Sequence, residues 1–595
     1  MGIKDGLIVF ETEETEDNLK NLKEKIIDKI GDENAGYLLD YPVIYIHTWQ
    51  SRADEKEGVD SIYVGESTDV IKRTSQHYIA AEEEKNWQWH LKNDGDTPSL
   101  YIIGHSHFNK SLTLDLENRL IDFCLSMDTT RIYNGRGNPQ GRYSNEDELD
   151  EIFSVIWKKL KKSNDKLFLS ESQIKKSAIY KASPNHKLTS DQLEAKNKII
   201  ERVFDAICNN KGRQLIFVEG DAGTGKTVLT SSTFYELLEM EAFEKRYLNC
   251  YMLVNHEEQL RVYRDIGKKL GVCEDRIIKP TSFINACSGA REKVDVVFID
   301  EAHLMWTQGK QSYRGENQLD DIMNIAHVTV IMFDRNQVLR TEQYWEDKQI
   351  EEKINFSKGQ DNYIELKNQY RMTCAQETVQ WIDLLTKELK IDKLHLSKKN
   401  QDSNGYEVVF FDSVDQMQKE IVCKAGKPDS CLSRLIATYD WEYKGKKGRN
   451  GSYWQVEIGE WSLPWNGETF DDQPWGNDKR KKRREKALAW AEQAHTINEV
   501  GSIFTIQGFD LQYAGVIIGP SVCYDKKEKC IYFDEGKKKY SSMLNNRTLS
   551  DGQKKKVSDE LFRHELRVLM TRGTKGLYIY ACDNDLREAL KEALK

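Results

Sequence analysis

The sequence predicts a multidomain α/β protein, and three observations predict it. The apolar run Leu215–Val218 passes directly into Gly220–Thr227, read Gly-Asp-Ala-Gly-Thr-Gly-Lys-Thr, and then into helix-compatible sequence as far as Leu238. Val296–Ile299 and Val328–Phe333 are unbroken apolar runs that end in polar clusters, as strands buried on both faces of a parallel sheet do. Val43–Ile46 and Ile62–Gly65 are short strands suited to pair as a hairpin, and helical segments follow them. With 595 residues, the chain has room for about four domains of roughly 150 residues.

Composition narrows the class. Apolar residues make up 39% and charged ones 31%, which suits a soluble globular protein with a well-charged surface. A net charge of −10 argues against a protein that coats nucleic acid non-specifically, while leaving room for a local basic groove. The eleven cysteines include no Cys-x-x-Cys pair, the pattern of reduced, packed thiols rather than of zinc sites or disulfides. No apolar run approaches the length of a membrane span, and Met1–Phe10 lacks the apolar core of a leader. The expectation is a cytoplasmic protein with no membrane partner.

Taken in order, the chain begins with a short strand, Leu7–Phe10, and a helix with Leu19, Leu22, Ile26, Ile27 and Ile30 on one face. The two hairpin strands follow, each with a tyrosine, Tyr45 and Tyr63. A helix over Asp69–Glu84 sets Arg73 and His77 four residues apart on one face. Leu100–Ile103 is a third strand. A helix over Leu112–Leu125 buries Leu116, Leu120, Ile121 and Leu125 and leaves Glu117 beside that stripe. A carboxylate so placed needs a metal or a hydrogen-bonding partner. The turn-rich Tyr133–Asn138 carries Asn134.

This ordered set, Val43-Ile44-Tyr45, Tyr63-Val64-Gly65, Arg73, His77, Glu117 and Asn134, resembles the GIY-YIG endonucleases over about Tyr41–Arg142. The first motif lacks its glycine, and Thr48–Asp60 lengthens the spacer. The resemblance implies a small mixed α/β nuclease domain. In it Glu117 holds one divalent metal, Mg²⁺ or Mn²⁺, a tyrosine or histidine helps deprotonate the attacking water, and Arg73 stabilises the charged phosphate. The residue types suit that chemistry: a carboxylate binds a hard cation through oxygen, and a cation offsets charge on a phosphodiester. Read without the resemblance, the same residues are strand aromatics, a solvated helix face and a surface glutamate. The expected domain is 1–143, followed by a charged connector, 144–187, with one amphipathic stretch around Leu149–Leu160.

The strand, loop and helix around Gly220–Thr227 form a phosphate-cradling loop. Gly220, Gly223 and Gly225 let backbone N–H groups close around phosphate oxygens at a helix N-terminus. Lys226 would reach the β- and γ-phosphates, and Thr227 would ligate Mg²⁺. Upstream, the Gln192 amide offers a donor and an acceptor to an adenine edge, or follows a Ser190-Asp191 helix cap with no role of its own. After Val296–Ile299 come Asp300, suited to bind Mg²⁺ through water, and Glu301, suited to orient and deprotonate the water that attacks the γ-phosphate. Gln337 follows Val328–Phe333 and can sense the γ-phosphate. Arg371 lies in Leu366–Met372, Gly508 and Asp510 in Thr505–Asp510, and Arg572 in Leu569–Gly573.

From about Leu188 to the C-terminus this series resembles superfamily 1 helicases, and more closely the bacterial relatives of the Schlafen-type helicase domain. That resemblance implies two RecA-like parallel-sheet domains, 188–345 and 346–595, with ATP and Mg²⁺ in the cleft and single-stranded nucleic acid crossing both. It makes Arg371 and Arg572 arginine fingers and turns Asp510 toward the ribose, where the family usually has Glu.

An insertion at about 424–492 carries Trp441, Trp454, Trp461, Trp465, Trp475 and Trp490 and the basic run Lys479–Arg484. Rings and cations are what a strand-binding surface uses, and a small aromatic core under a solvated loop accounts for the tryptophans equally well. Together the resemblances imply an ATP-dependent nucleic-acid helicase or translocase, read as acting on DNA with RNA left open, coupled to a metal-dependent endonuclease, in antiviral defence. A DNA-repair helicase-nuclease and an ATP-switched sensor with a binding-only nuclease fold are the alternatives. A regulatory protein or a second copy of the chain is left open as a partner.

Overall fold

The computed structural model describes residues 6–50, 59–80, 87–89, 97–127, 129–134, 143–175, 177–186, 188–244, 248–289, 293–309, 313–369, 371–427, 430–445, 452–467, 469–474, 482, 485–486 and 488–594. The chain forms two units, one of Met1–Thr189 with Glu239–Lys245 and Val262–Glu274, the other of Ser190–Leu238, Arg246–Arg261 and Asp275–Lys595. Among the described residues no helix is long and apolar enough to cross a membrane.

The first unit is built on five strands: β1 (Ile8–Glu13), β2 (Val43–Trp49), β3 (Asp60–Ser67), β4 (Ser99–Gly104) and β5 (Thr130–Ile132). Their order is β1-β4-β2-β3-β5, antiparallel except where β3 meets β5. The expected hairpin is β2 against β3, in a register that sets Tyr45 opposite Gly65 and His47 opposite Tyr63. Tyr45 and His47, two apart, therefore share a face. The helices that follow β3 and β4 are α1 (Val70–Ala80) and α2 (Lys110–Leu125), the latter capped by the Asn109 side chain, which accepts from the Leu112 N–H. Phe10, Leu22, Ile26, Tyr45, Leu100 and Ile102 share one core.

The expected connector, 144–187, is part of this unit instead. Its amphipathic stretch forms α3 (Leu149–Ser163), whose Phe153 and Trp157 meet Phe123 of α2 at ring distances of 4.5 and 4.9 Å. Ser183 donates to the buried Asp122 carboxylate at 2.6 Å. A stripe of Ile152, Phe153, Ile156, Trp157 and Leu160 is too apolar to remain in solvent.

The second unit opens with α4 (Ser190–Cys208) and β6 (Gln214–Gly220). The helix α5 (Lys226–Glu244, with the first unit from Glu239), β7 (Cys250–Val254) and α6 (Glu257–Lys269, with the first unit from Val262) follow, then β8 (Ile277–Ile278), β9 (Val294–Asp300) and β10 (Ala326–Phe333). After α7 (Asp347–Gly359), β11 (Tyr363–Leu366) completes a wholly parallel sheet of order β11-β6-β10-β9-β7-β8. Since β11 pairs with β6, this sheet claims the chain to Leu366, past the expected boundary at 345.

Downstream come β12 (Glu407–Phe410), β13 (Arg434–Ala437), β14 (Gln455–Ile458), β15 (Trp461–Pro464), β16 (Val500–Gly501) and β17 (Leu511–Ile518). The last strands are β18 (Val522–Asp525), β19 (Cys530–Phe533), β20 (Asn546–Thr548), β21 (Lys554–Lys556) and β22 (Gly573–Ala581), with α8 (Ser558–Met570) before β22. A second parallel sheet runs β12-β22-β17-β13-β16, while β14-β15, β18-β19 and β20-β21 are antiparallel pairs. The β20-β21 hairpin and its approach hold the two sheets together. Arg547 donates to the Thr307 carbonyl at 2.6 Å, Thr341 to that of Ser542 at 2.6 Å, and the Ser550 N–H to Glu346 at 2.7 Å.

The insertion's tryptophans belong to the core. Trp465 is fully buried with Tyr439, Val456, Tyr513 and Tyr578, and Trp441, Trp454 and Trp461 pack against that cluster. Trp490 is buried and donates to Glu499 at 3.1 Å. Trp465 and Trp490 are thus enclosed by protein, and the other three lean on the same core while partly exposed. Trp475 and the basic run, apart from Lys482, lie outside the described residues. We expect Trp465→Ala to destabilise this unit by about 3–5 kcal/mol, measured as a lower urea midpoint for its unfolding transition.

Candidate functional site

The loop after β6 has the backbone its glycines predict. Gly223 and Gly225 have φ of +86° and +83°, and a Cβ there would lie 2.5 Å from Arg371 Cβ and 2.1 Å from Gln192 Nε2, respectively. Only glycine meets both demands. Lys226, 7% exposed, donates to the carbonyls of Gly220 at 2.7 Å and Asp221 at 2.9 Å and stands 3.4 Å from Asp334. Burial alone would raise the Asp334 carboxyl, but Lys226, His303 and Gln337 more than offset it and hold it at about 2. Gln192, expected at an adenine edge, donates instead to the Thr224 carbonyl at 3.0 Å and braces the loop.

Opposite the loop, β9 ends at Asp300. Gln259, on the first turn of α6, donates to Asp300 at 2.6 Å and reaches Thr227 Oγ1 at 3.4 Å, so one amide spans both expected metal ligands. Glu301 has φ 51° and ψ 47°, a left-handed conformation that a non-glycine residue adopts at a cost of about 1–3 kcal/mol. Its Oε2 lies 3.2 Å from His303 Nε2, yet both atoms are buried without a hydrogen-bond partner. Burial lowers His303 against the pull of Glu301 and Asp334.

The second sheet supplies the far wall. Arg572, at the end of α8, is fully buried, and it donates to Gln337 Oε1 at 3.0 Å and to the carbonyls of Val568 and Phe509 at 3.1 and 3.4 Å. Burial, reinforced by Arg371's charge, lowers it to about 9. Gln337 in turn donates to Asp334 at 2.6 Å. A polar chain thus runs Lys226, Asp334, Gln337, Arg572 from one sheet to the other. Arg371 packs on Gly223 and pairs with Asp510 at 2.6 Å, so the carboxylate expected to face a ribose holds an arginine. Gly508 has φ +82°. Arg567, one α8 turn before Arg572 and singled out by no motif, pairs with Asp383 and stands 3.4 Å from Asp221 of the loop.

These residues fit a Mg²⁺–nucleoside triphosphate. A hydroxyl and a carboxylate adjoin through one amide, a buried cation lines the loop, and Glu301 has an unpartnered carboxylate oxygen beside them.

In the first unit, Tyr45, Tyr63, Arg73, His77 and Glu117 come together. Tyr45 Oη lies 3.0 Å from His77 Nε2, and Arg73 Nε donates to the same oxygen at 3.3 Å. A Cβ on Gly65 would fall 2.3 Å from Tyr45 Oη, so the glycine opposite makes room for that ring. Trp87 stacks on Tyr63 at 4.0 Å. Burial, with the charges of His47 and Arg73, lowers His77 to about 3; burial and Glu66 raise Glu117 to about 7, against the pull of Lys110 and Arg73. A carboxyl so raised is one that a divalent cation would return to its charged form. Asn134 clamps β3, accepting from the Val64 N–H at 2.8 Å and donating to its carbonyl. The sequence reading passed over His47, which meets Glu14 at 2.7 Å with both side chains fully buried. Among the described residues no three His, Cys, Asp or Glu side chains cluster as a metal cage.

The family model described as Schlafen group 3, DNA/RNA helicase domain, matches residues 213–583. A Saccharomyces cerevisiae protein described as uncharacterized protein YPL245W is 32% identical over 445 residues, 68% of this chain and 92% of that protein. Two solved structures overlap loosely. Pif1 helicase from Candida albicans aligns at 14% identity over 40% of this chain and 55% of its own, with a TM-score of 0.22. The Aeropyrum pernix ORC2 protein aligns at 13% identity over 35% and 55%, with a TM-score of 0.21.

The Glu117 shift sets a pH signature. A folded value of about 7, above the ordinary 4.5, means stability that is fully present below pH 4.5 and lost as pH rises through 7. Glu117→Gln, which cannot ionise, is expected to melt with wild type at pH 4 and above it at pH 8 in EDTA, the gap opening across that window. Thermal melts from pH 4 to 8 check it.

Proposed function

The chain belongs to the Schlafen group 3, DNA/RNA helicase domain family, and from that premise we propose an ATP-driven DNA helicase or translocase with an N-terminal metal-dependent endonuclease of GIY-YIG type. The observation that carries the motor reading is the polar chain from Lys226 through Asp334 and Gln337 to Arg572, which ties the phosphate loop of one RecA-like sheet to an arginine of the other. Bound Mg–ATP would supply the transferable phosphoryl group. Lys226 and the loop N–H groups would neutralise its oxygens, Thr227 and Asp300 would hold the metal, and Glu301 would orient the attacking water. Arg371 and Arg572 would add charge from the second sheet, and Gln337, touching both Asp334 and Arg572, would transmit the γ-phosphate's presence.

The nuclease reading is supported by the grouping of five side chains on one face. Tyr45 is bonded to the neutral His77, and Arg73 donates to the same oxygen, a set that would orient an attacking water and offset charge on a phosphodiester. Glu117 would hold a Mg²⁺ or Mn²⁺ ion. The proposed role in antiviral defence rests on the joining of a motor to a cutter.

Cleavage of a circular plasmid with Mg²⁺, with and without ATP, tests the proposal. Wild type is expected to cut, Glu117→Ala to lose cutting by about 10²-fold or more, and Lys226→Ala to lose only the response to ATP. If wild type hydrolyses ATP on DNA and never cuts, the first unit is a binding module and the nuclease reading fails.

A further inference from the structure

Gln259 lies outside every motif and yet sits at the centre of the nucleotide site. Its side chain is buried, and its nitrogen donates to Asp300 at 2.6 Å and approaches the Thr227 hydroxyl at 3.4 Å. An ionised carboxylate only accepts hydrogen bonds, so the amide must present its NH₂ end to Asp300 and turn its oxygen away. That oxygen is buried, has no hydrogen-bond partner, and lies 3.4 Å from where a Cβ on Gly508 would be. Gly508, at φ +82°, belongs to the segment between β16 and β17, in the half of the unit that carries the second sheet. One end of the amide therefore addresses the expected metal ligands of the first sheet, and the other addresses a left-handed glycine of the second.

A buried acceptor left unpaired is costly, so this arrangement has a better alternative once conditions at Asp300 change. A hard cation held by Thr227 and Asp300 would take the carboxylate's lone pairs and favour oxygen neighbours. Half a turn of the amide would then set its oxygen, an acceptor, toward Asp300 and Thr227 and its NH₂ toward Gly508. We propose that Gln259 is a positioning residue of the nucleotide site, holding Thr227 and Asp300 together without metal and turning its amide when Mg–nucleotide binds, so that occupancy is felt at the Gly508 segment. This rests on the motor reading above.

The test uses the full chain and a fluorescent ATP analogue, titrated with and without Mg²⁺, with thermal melts in parallel. Gln259→Leu keeps the bulk and removes the amide. It is expected to bind the analogue as wild type does in EDTA, and to lose about tenfold of the tightening that Mg²⁺ gives. Gln259→Glu sets a second carboxylate beside Asp300. It is expected to melt lower than wild type in EDTA and to show a larger rise in melting temperature with Mg²⁺ and nucleotide, where the leucine variant shows a smaller one. Opposite shifts in the two variants support the proposal, and either variant alone reads its own direction if the other does not fold. Wild-type metal dependence in both overturns it while leaving the motor reading intact. Failure of wild type itself to bind the analogue overturns the motor reading and this inference with it.

Discussion

The structure of the larger unit depends on the buried charge pair of Lys226 and Asp334. Both groups are buried, and each is tolerated because the other is there, backed by the Gly220 and Asp221 carbonyls on one side and Gln337 on the other. Breaking such a pair by removing one partner costs several kcal/mol, because the survivor is left as an uncompensated charge. The pair reaches beyond the loop. Gln337 passes the hydrogen bonding on to Arg572, which is itself fully buried and held by two carbonyls. A ligand that competes for Lys226 must disturb Asp334, then Gln337, then an arginine anchored in the other sheet.

The same cleft concentrates groups in costly states. Glu301 is left-handed with an unpartnered oxygen, His303 is buried with both ring nitrogens lacking a hydrogen bond, and Arg572 is lowered by burial. Strain and unmet hydrogen bonding of this kind persist where the surrounding structure over-determines them, and they gather at functional sites. In the first unit the comparable feature is the Tyr45 ring lying over Gly65, with His77 and Arg73 both bonded to its oxygen.

Much of this was legible in the sequence because the informative features are local. A doubly buried parallel strand is a continuous apolar run, and the groups at its end, Lys226, Thr227, Asp300 and Glu301, follow within a few residues. What escaped is set by tertiary contact. Gln259 and Arg567 lie on helices whose own patterns mark only an amphipathic face, and their partners are 41 and 346 residues away. Glu14 and His47 are 33 apart and meet only because β1 and β2 flank the same strand. β11 is four residues long, and its allegiance to β6 has no sequence mark, which is why the boundary fell at 345 and not beyond Leu366. The stretch 144–187 reads as a connector from its charge, while its single apolar stripe decides its place.

The central claim is that an arginine from the second sheet completes a nucleotide site on the first. The most direct measurement is ATP hydrolysis by the full chain in saturating single-stranded DNA, comparing wild type with Arg572→Lys and following nucleotide binding separately. The account predicts that binding persists while turnover falls by about 10³-fold or more, since lysine keeps a charge but loses the fork that grips Gln337 and the two carbonyls. Turnover in Arg572→Lys at the wild-type rate would contradict it.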